Sequence, residues 1–362
     1  MKIPDSIKRY GLSKVYDYLD KDPMNNMSKL MDVVNKFAGD TLGPQRAMFD
    51  KVIGDPNSCW YQLIEKIWRE TDSDVLKTVF SNFFVNANLV GWPKQEANRE
   101  KYGCNIPWAI LMDPTSACNL HCTGCWAAEY GNKLNLTFDE MDSIITQAKE
   151  LGIYMFIYTG GEPLVRKKDL IRLCEKHDDA AFLSFTNATL IDEEFCQEML
   201  RVGNFFVSIS VESFEESNDG RRGRGHFQKA LDAMDLMRSH RIPFGVSICY
   251  TSRNCKVVTS DEFLDLLISK GCVFAWYFHY MPVGLNADTS LLLTPEQRTY
   301  MKDRVREIRG VTGGKELYCI DSISVTLYGV MDAFSFTPMP SCRRARIFSV
   351  TRPNMGRPHR RS

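Results

Sequence analysis

The sequence predicts an α/β fold: a parallel sheet with helical crossovers, preceded by an α-helical N-terminal region. Three observations predict it. From Ile106 onward, near-continuous apolar runs alternate with amphipathic stretches; those stretches begin with readable capping signals; and residues 1–105 hold apolar side chains at helical spacing without a convincing strand.

In the N-terminal region, Leu63, Ile64 and Ile67, then Val75, Leu76, Val79, Phe80, Phe83 and Phe84, recur at the spacing of one helix face. The polar run Pro93–Lys101 reads as a separator and sets a boundary near residue 105. Strands are expected at Ile106–Met112, Ile153–Tyr158, Ala181–Thr186, Phe205–Val211, Phe244–Tyr250 and Val273–Tyr280, each apolar on both faces, as parallel strands covered by helices are. Between them, Thr137-x-x-Glu140 forms a capping box for a helix that Gly152 stops. Thr294-Pro295-x-Gln297 opens another, with proline at the first helical position. Six β–α repeats imply right-handed crossovers, and they admit either a partly closed barrel or an open doubly wound sheet. After Thr312 the periodicity is lost. Arg343–Ser362 carries seven arginines and no acidic residue, so residues 313–362 read as an irregular or disordered tail.

Charge and hydropathy narrow the class. Lys plus Arg and Asp plus Glu number 45 each, which argues against a chain devoted to coating nucleic acid or anionic membrane. The N-terminus is too polar for a signal peptide, and the longest apolar runs are too short to cross a bilayer. The expectation is a cytoplasmic protein. Its twelve cysteines are then expected to be reduced. Cys174, Cys196 and Cys249 sit in apolar settings and read as small buried hydrophobes.

Three cysteines are different. Cys118, Cys122 and Cys125 form a C-x3-C-x2-C segment directly after the first expected strand, at the strand end where β/α folds place their chemistry. Three thiolates on one short loop can converge on one centre, and soft sulfur selects zinc or an iron–sulfur cluster. A structural zinc site needs four ligands, for which Cys104 and His121 are the candidates in reach of the sequence. An iron–sulfur cube on three cysteines instead leaves one iron open, as a reactive site requires.

This segment resembles the radical S-adenosylmethionine (radical SAM) superfamily, including its SPASM-type and maturase-like members, whose hallmark is this spacing after the first strand. Gly160-Gly161-Glu162-Pro163, closing the second expected strand, is similar to the superfamily's Gly-Gly-Glu-Pro motif. The resemblance covers roughly residues 106–310 and implies a partial (β/α)6 TIM-like barrel at 106–312. It implies metal ligation by Cys118, Cys122 and Cys125, a 4Fe–4S cluster, and S-adenosylmethionine bound near Gly160, Gly161, Glu162 and Pro163. By the same resemblance Asn187, in Thr186-Asn187-Ala188, touches the cofactor, although Ala188 stands where a glycine is common. Ser210 and Glu212 end the fourth strand near cofactor or substrate, with a solvated strand end as the alternative for Glu212. Trp126 contacts adenine or packs; Gly124 occupies the place before the third cysteine where an aromatic is usual. Arg221–Gly225 with Phe227 reads as a loop leading into a helix, or as a phosphate cradle.

The implied activity is reductive cleavage of S-adenosylmethionine to a 5′-deoxyadenosyl radical that abstracts hydrogen from a substrate. A peptide or protein substrate comes first and a small molecule next, with reduced ferredoxin or flavodoxin as electron donor and no membrane or nucleic-acid partner. Beyond residue 280 only Cys319 and Cys342 remain, too few for a second cube. The C-terminus is therefore expected either to lack auxiliary clusters or to be truncated or out of frame. The rival readings are a non-catalytic iron–sulfur or metal-binding protein on the same fold, and an RNA-modifying radical enzyme prompted by the basic tail.

Overall fold

Parallel pairing follows from the apolar runs, which bury both faces of each strand. The computed structural model describes residues 5–37, 43–125, 127, 131–283, 287–310, 313–321 and 348–350. Six β/α units form its centre. Strands β1 (Ala109–Thr115), β2 (Met155–Gly160), β3 (Ala181–Thr186), β4 (Phe205–Ser210), β5 (Gly245–Tyr250) and β6 (Phe274–His279) lie side by side. β7 (Tyr318–Asp321) pairs with β6, and β8 (Phe348–Val350) pairs with β1, all in parallel. This is an α/β fold with a partial (β/α)6 barrel, as the strand pattern and the resemblance together imply.

Strict alternation divides each strand between two cores. Ile110, Met112, Phe156, Tyr158, Phe182, Val207 and Ile209 pack on the outer helices. Those helices include α7 (Phe138–Glu150), α8 (Lys167–Lys176), α9 (Glu193–Val202), α11 (His226–Ser239), α12 (Asp261–Ser269) and α13 (Pro295–Ile308). The capping boxes read at Thr137 and Thr294 are both formed. Ala109, Met155, Ile157, Ala181, Leu183 and Trp276 face the barrel interior. Each fully buried large side chain stabilises by about 1.5–3 kcal/mol, so both cores are needed to hold the strands in register.

The N-terminal helices close the lower end of the barrel. α4 (Cys59–Glu70) puts Leu63 into the interior core, and Trp60 Nε1 donates to the Arg309 carbonyl at 2.8 Å. A π-helical stretch, Phe80–Val90, carries buried Asn82 and Asn86, which donate to the carbonyls of Asp178, Ala180 and Asp179 in the turn before β3. The polar run read as a separator is instead a helix, Gly91–Tyr102 (α6), whose buried Gln95 donates to the Gly152 carbonyl at 2.8 Å. A Cβ added to Gly91 would lie 2.4 Å from that same carbonyl, so this crossing requires glycine.

Part of the C-terminal stretch read as irregular is ordered. Leu317, Tyr318, Cys319 and Ile320 are buried, and β7 extends the sheet past β6. An apolar run this short shows no periodicity, which is why the sequence does not reveal it. Residues 322–347 and 351–362 lie outside the described residues. Among the described residues, no helix is long and apolar enough to cross a membrane.

Candidate active site

The upper ends of β1, β2, β3 and β4 bring the motif residues together. After β1 the chain turns into the loop holding Cys118, Cys122 and Cys125, all partly buried. Cys104 precedes β1 and is exposed. A seven-residue strand, roughly 23 Å long, separates it from Cys118, so it cannot complete a site with the other three. His121 is exposed. Burial pushes the thiols of Cys118 and Cys122 upward, and Arg222 draws Cys122 back down. Among the described residues, no three ligating side chains are gathered as around a single metal ion.

The Gly-Gly-Glu-Pro segment lies directly against the start of this loop. Gly161 N donates to Thr115 O at 2.9 Å and Glu162 N to Ala117 O at 2.8 Å. Gly160 has φ +109°, and a Cβ on Gly161 would fall 2.2 Å from Ala117 O. The close approach that demands glycine here is thus made by the cysteine loop itself. Arg166 secures the same corner, donating to the carbonyls of Pro114 and Leu136 at 3.1 and 2.6 Å.

Glu162 is buried with both oxygens engaged within the protein. Oε1 accepts from Leu164 N and Thr186 Oγ1, and Oε2 accepts from Asn187 N at 2.7 Å. Burial raises its pKa while these three donors work against the rise. The carboxyl group therefore braces β2 against β3. Pro163 opens a short 3₁₀ turn behind it. Asn187 reaches the cysteine loop: its Nδ2 lies 2.9 Å from Asn119 Oδ1 and 3.9 Å from Cys118 Sγ. Ala188 adopts φ +66°, the left-handed conformation that makes glycine common at this position.

At the end of β4, Glu212 is buried and meets two guanidinium groups from the helix α10 (Glu215–Arg222). Arg222 Nη2 lies 2.5 Å and Arg221 Nη1 2.6 Å from Glu212 Oε1, the latter a charge contact rather than an aligned hydrogen bond. Oε2 accepts from Cys249 N at 3.1 Å. Burial works against this charge, but the two arginines overcome it and hold the carboxyl below the usual range. Arg221 also clasps the cysteine loop, since its Nε donates to Thr123 O and its own carbonyl accepts from Thr123 N. Ser210, on the interior face, lies 3.5 Å from Ser247 through their hydroxyls. Trp126 lies outside the described residues.

Sequence reasoning missed the groups that connect these parts. Asn218 Oδ1 accepts from Glu212 N, and its Nδ2 lies 3.0 Å from His226 Nδ1. His226 Nε2 lies 2.9 Å from the Asn187 carbonyl, which can only accept, so Nε2 carries the proton and Nδ1 accepts. Burial, with Arg222 nearby, lowers the His226 pKa and keeps the ring neutral. An unbroken chain of hydrogen bonds thus runs Glu212–Asn218–His226–Asn187–Glu162 across the ends of three strands. No local spacing signals these groups in the sequence; Asp219, seven residues before His226, fixes the turn by accepting from Gly225 N and Phe227 N. Beside Gly124 (φ +67°) stands Tyr280 from the end of β6, its ring 3.1 Å from where a Cβ would be.

A three-cysteine loop and a glycine-rich clamp thus meet at the mouth of a partial (β/α)6 barrel. Residues 112–254 match the family model described as the Radical SAM superfamily, and the chain is similar to maturase-like members of that superfamily. A 4Fe–4S cluster and S-adenosylmethionine are the cofactors of this superfamily of enzymes. The chain is 26% identical over 259 residues to Fe-coproporphyrin III synthase of Methanosarcina barkeri, covering 68% of this chain and 63% of that one. It is 29% identical over 229 residues to the PqqA peptide cyclase of Bradyrhizobium diazoefficiens, covering 59% and 60%. The chain therefore spans about three fifths of the length of these curated relatives. In fold it is similar to Streptococcus suis SuiB bound to S-adenosylmethionine, with a TM-score of 0.51 and 18% identity over 63% of this chain and 54% of that one.

Proposed function

We infer that this chain is an enzyme that reductively cleaves S-adenosylmethionine, with Cys118, Cys122 and Cys125 holding the 4Fe–4S cluster. The observation carrying this reading is the set of three partly buried thiols on the one loop that follows β1, clamped by Gly160–Pro163. That donor set suits a cube with one open iron. When bound, cluster and cofactor supply a one-electron cleavage that yields a 5′-deoxyadenosyl radical.

The protein's own residues do the rest. Glu162 and Asn187 fix the ends of β2 and β3 against the cysteine loop. Arg221 holds Thr123, between the second and third cysteines, and with Arg222 brings two positive charges against the single charge of Glu212. The excess of one positive charge beside Cys122 favours an anionic centre there. Gly160, Gly161, Pro163 and Ser210 border the same mouth and form the cofactor side of the site, to which the resemblance adds Trp126. The interior face beneath it is the reaction chamber, closed from below by the N-terminal helices. The relative that acts on the PqqA peptide supports a peptide substrate, and the porphyrin-forming relative supports a small molecule as second choice. Reduced ferredoxin or flavodoxin is the proposed electron donor.

The test is anaerobic reconstitution with iron and sulfide, then incubation with dithionite and S-adenosylmethionine. Formation of 5′-deoxyadenosine and methionine is expected. A reconstituted cluster that leaves the cofactor intact would overturn the enzyme reading in favour of an inert iron–sulfur protein.

A further inference from the structure

Asn187 is buried directly after β3, and hydrogen bonds fix both its backbone and its side chain. Its N–H donates to Glu162 Oε2 at 2.7 Å, and its carbonyl accepts from His226 Nε2 at 2.9 Å. Its side-chain Oδ1 accepts from Thr189 N at 3.0 Å and from Thr189 Oγ1 at 2.7 Å. A backbone N–H can only donate, so Oδ1 faces Thr189 and Nδ2 faces the cysteine loop. There Nδ2 donates to Asn119 Oδ1 at 2.9 Å, while Asn119 Nδ2 donates back to Thr189 Oγ1 at 2.7 Å. Thr189, Asn187 and Asn119 thus close a ring of hydrogen bonds between the end of β3 and the residue after Cys118.

The same Nδ2 also donates to Cys118 Sγ, at 3.9 Å. Leu120 N donates to that sulfur at 3.4 Å, but this donor belongs to the loop itself, whereas Asn187 is brought from another strand end. Hydrogen bonds to ligand sulfurs are one of the levers that set the potential of an iron–sulfur cluster. Such a bond strengthens with the charge on its acceptor, and a reduced cluster carries one more negative charge than an oxidised one. An N–H at Cys118 therefore favours the reduced state.

His226 holds this donor without adding charge of its own. Asn218 Oδ1 accepts from Glu212 N, which turns Asn218 Nδ2 toward His226 Nδ1 at 3.0 Å and leaves the ring proton on Nε2. Burial and Arg222 keep the ring neutral against the opposing pull of Asp219 and Glu212. Replacing the ring by a neutral side chain thus changes no charge near the cysteine loop.

We propose that Asn187 donates an N–H···S hydrogen bond to the cluster ligand Cys118 that raises the reduction potential of the cluster, and that His226 is the positioning residue that holds Asn187 there. The proposal rests on reading Cys118, Cys122 and Cys125 as the cluster ligands.

The test is a redox titration of the full reconstituted chain at pH 8 without S-adenosylmethionine, followed by electron paramagnetic resonance. Asn187→Ala is expected to lower the reduced-to-oxidised ratio at a fixed potential roughly three- to tenfold, a shift of about 30–60 mV for one electron. His226→Leu should shift the potential in the same direction. His226→Gln, whose amide can still donate to the Asn187 carbonyl, should stay within about twofold of the parent. Because His226 acts through Asn187, the double variant Asn187→Ala with His226→Leu should match Asn187→Ala alone. A fully loaded Asn187→Ala cluster with the parent's potential overturns the proposal. So do His226→Leu and His226→Gln proteins that behave alike, or shifts at the two positions that add. If Asn187→Ala takes up too little iron to titrate, the two His226 variants decide by the same comparison. A parent that assembles no 4Fe–4S cluster overturns instead the cluster reading beneath the proposal.

Discussion

Glu212 shows how one residue can look solvated in sequence and be central in the fold. A lone glutamate after an apolar strand carries no sign of its partners, because Arg221 and Arg222 arrive from α10 after a turn. Removing one member of a buried charge cluster leaves the others uncompensated. Glu212→Gln is expected to cost about 3 kcal/mol at pH 7, measured by urea unfolding of parent and variant. Because the folded carboxyl titrates below its ordinary value, its contribution is complete above the unfolded pKa of about 4.3 and is lost as pH falls through the folded one. The gap between parent and variant should therefore shrink on acidification below that point. An unchanged stability at pH 7 would show that the ion cluster does not hold the strand ends. The cysteines were legible because their spacing is local. Asn218 and His226 were not, because what distinguishes them is their hydrogen bonds to residues brought from other strand ends.

At the scale of elements, the cysteine loop and the Gly-Gly-Glu-Pro turn form one unit. Their hydrogen bonds through Thr115 and Ala117 leave no room for a side chain at Gly161. Gly161→Ala should displace the loop backbone and reduce iron uptake on reconstitution at least severalfold, with far-ultraviolet circular dichroism like that of the parent. Iron content equal to the parent's would mean that the clamp does not position the cysteines. The lower end of the barrel makes the complementary prediction. Gly152 has φ +93°, and a Cβ there would meet Gly91 O at 2.6 Å. Gly152→Ala is expected to lose about 2–3 kcal/mol, while iron bound per folded chain stays constant, since the change lies at the end opposite the site. Loss of iron in step with stability would couple the N-terminal helices to the cluster. The strands were readable because parallel strands bury both faces and leave continuous apolar runs. The helix at Gly91–Tyr102 was not, because its contact with the barrel depends on glycine and Gln95 rather than on an apolar stripe.

For the molecule as a whole, the N-terminal helices seal the lower end and the motif residues crowd the upper one. The interior between them is lined by aromatic side chains, Phe185, Trp276 and Phe278 among them. Six β/α units were countable in the sequence, but β7 was hidden by its brevity, and β8 pairs across the sheet with β1 from more than 200 residues away. No local pattern encodes such a pairing. The central claim is that three cysteines hold one cluster whose open iron receives S-adenosylmethionine. Electron paramagnetic resonance of the dithionite-reduced, reconstituted protein tests it most directly. The account predicts the signal of a single reduced 4Fe–4S cluster that changes shape when S-adenosylmethionine is added, and its loss when Cys118, Cys122 and Cys125 are all replaced by alanine. A signal indifferent to the cofactor, or a triple variant that keeps the cluster, would contradict it.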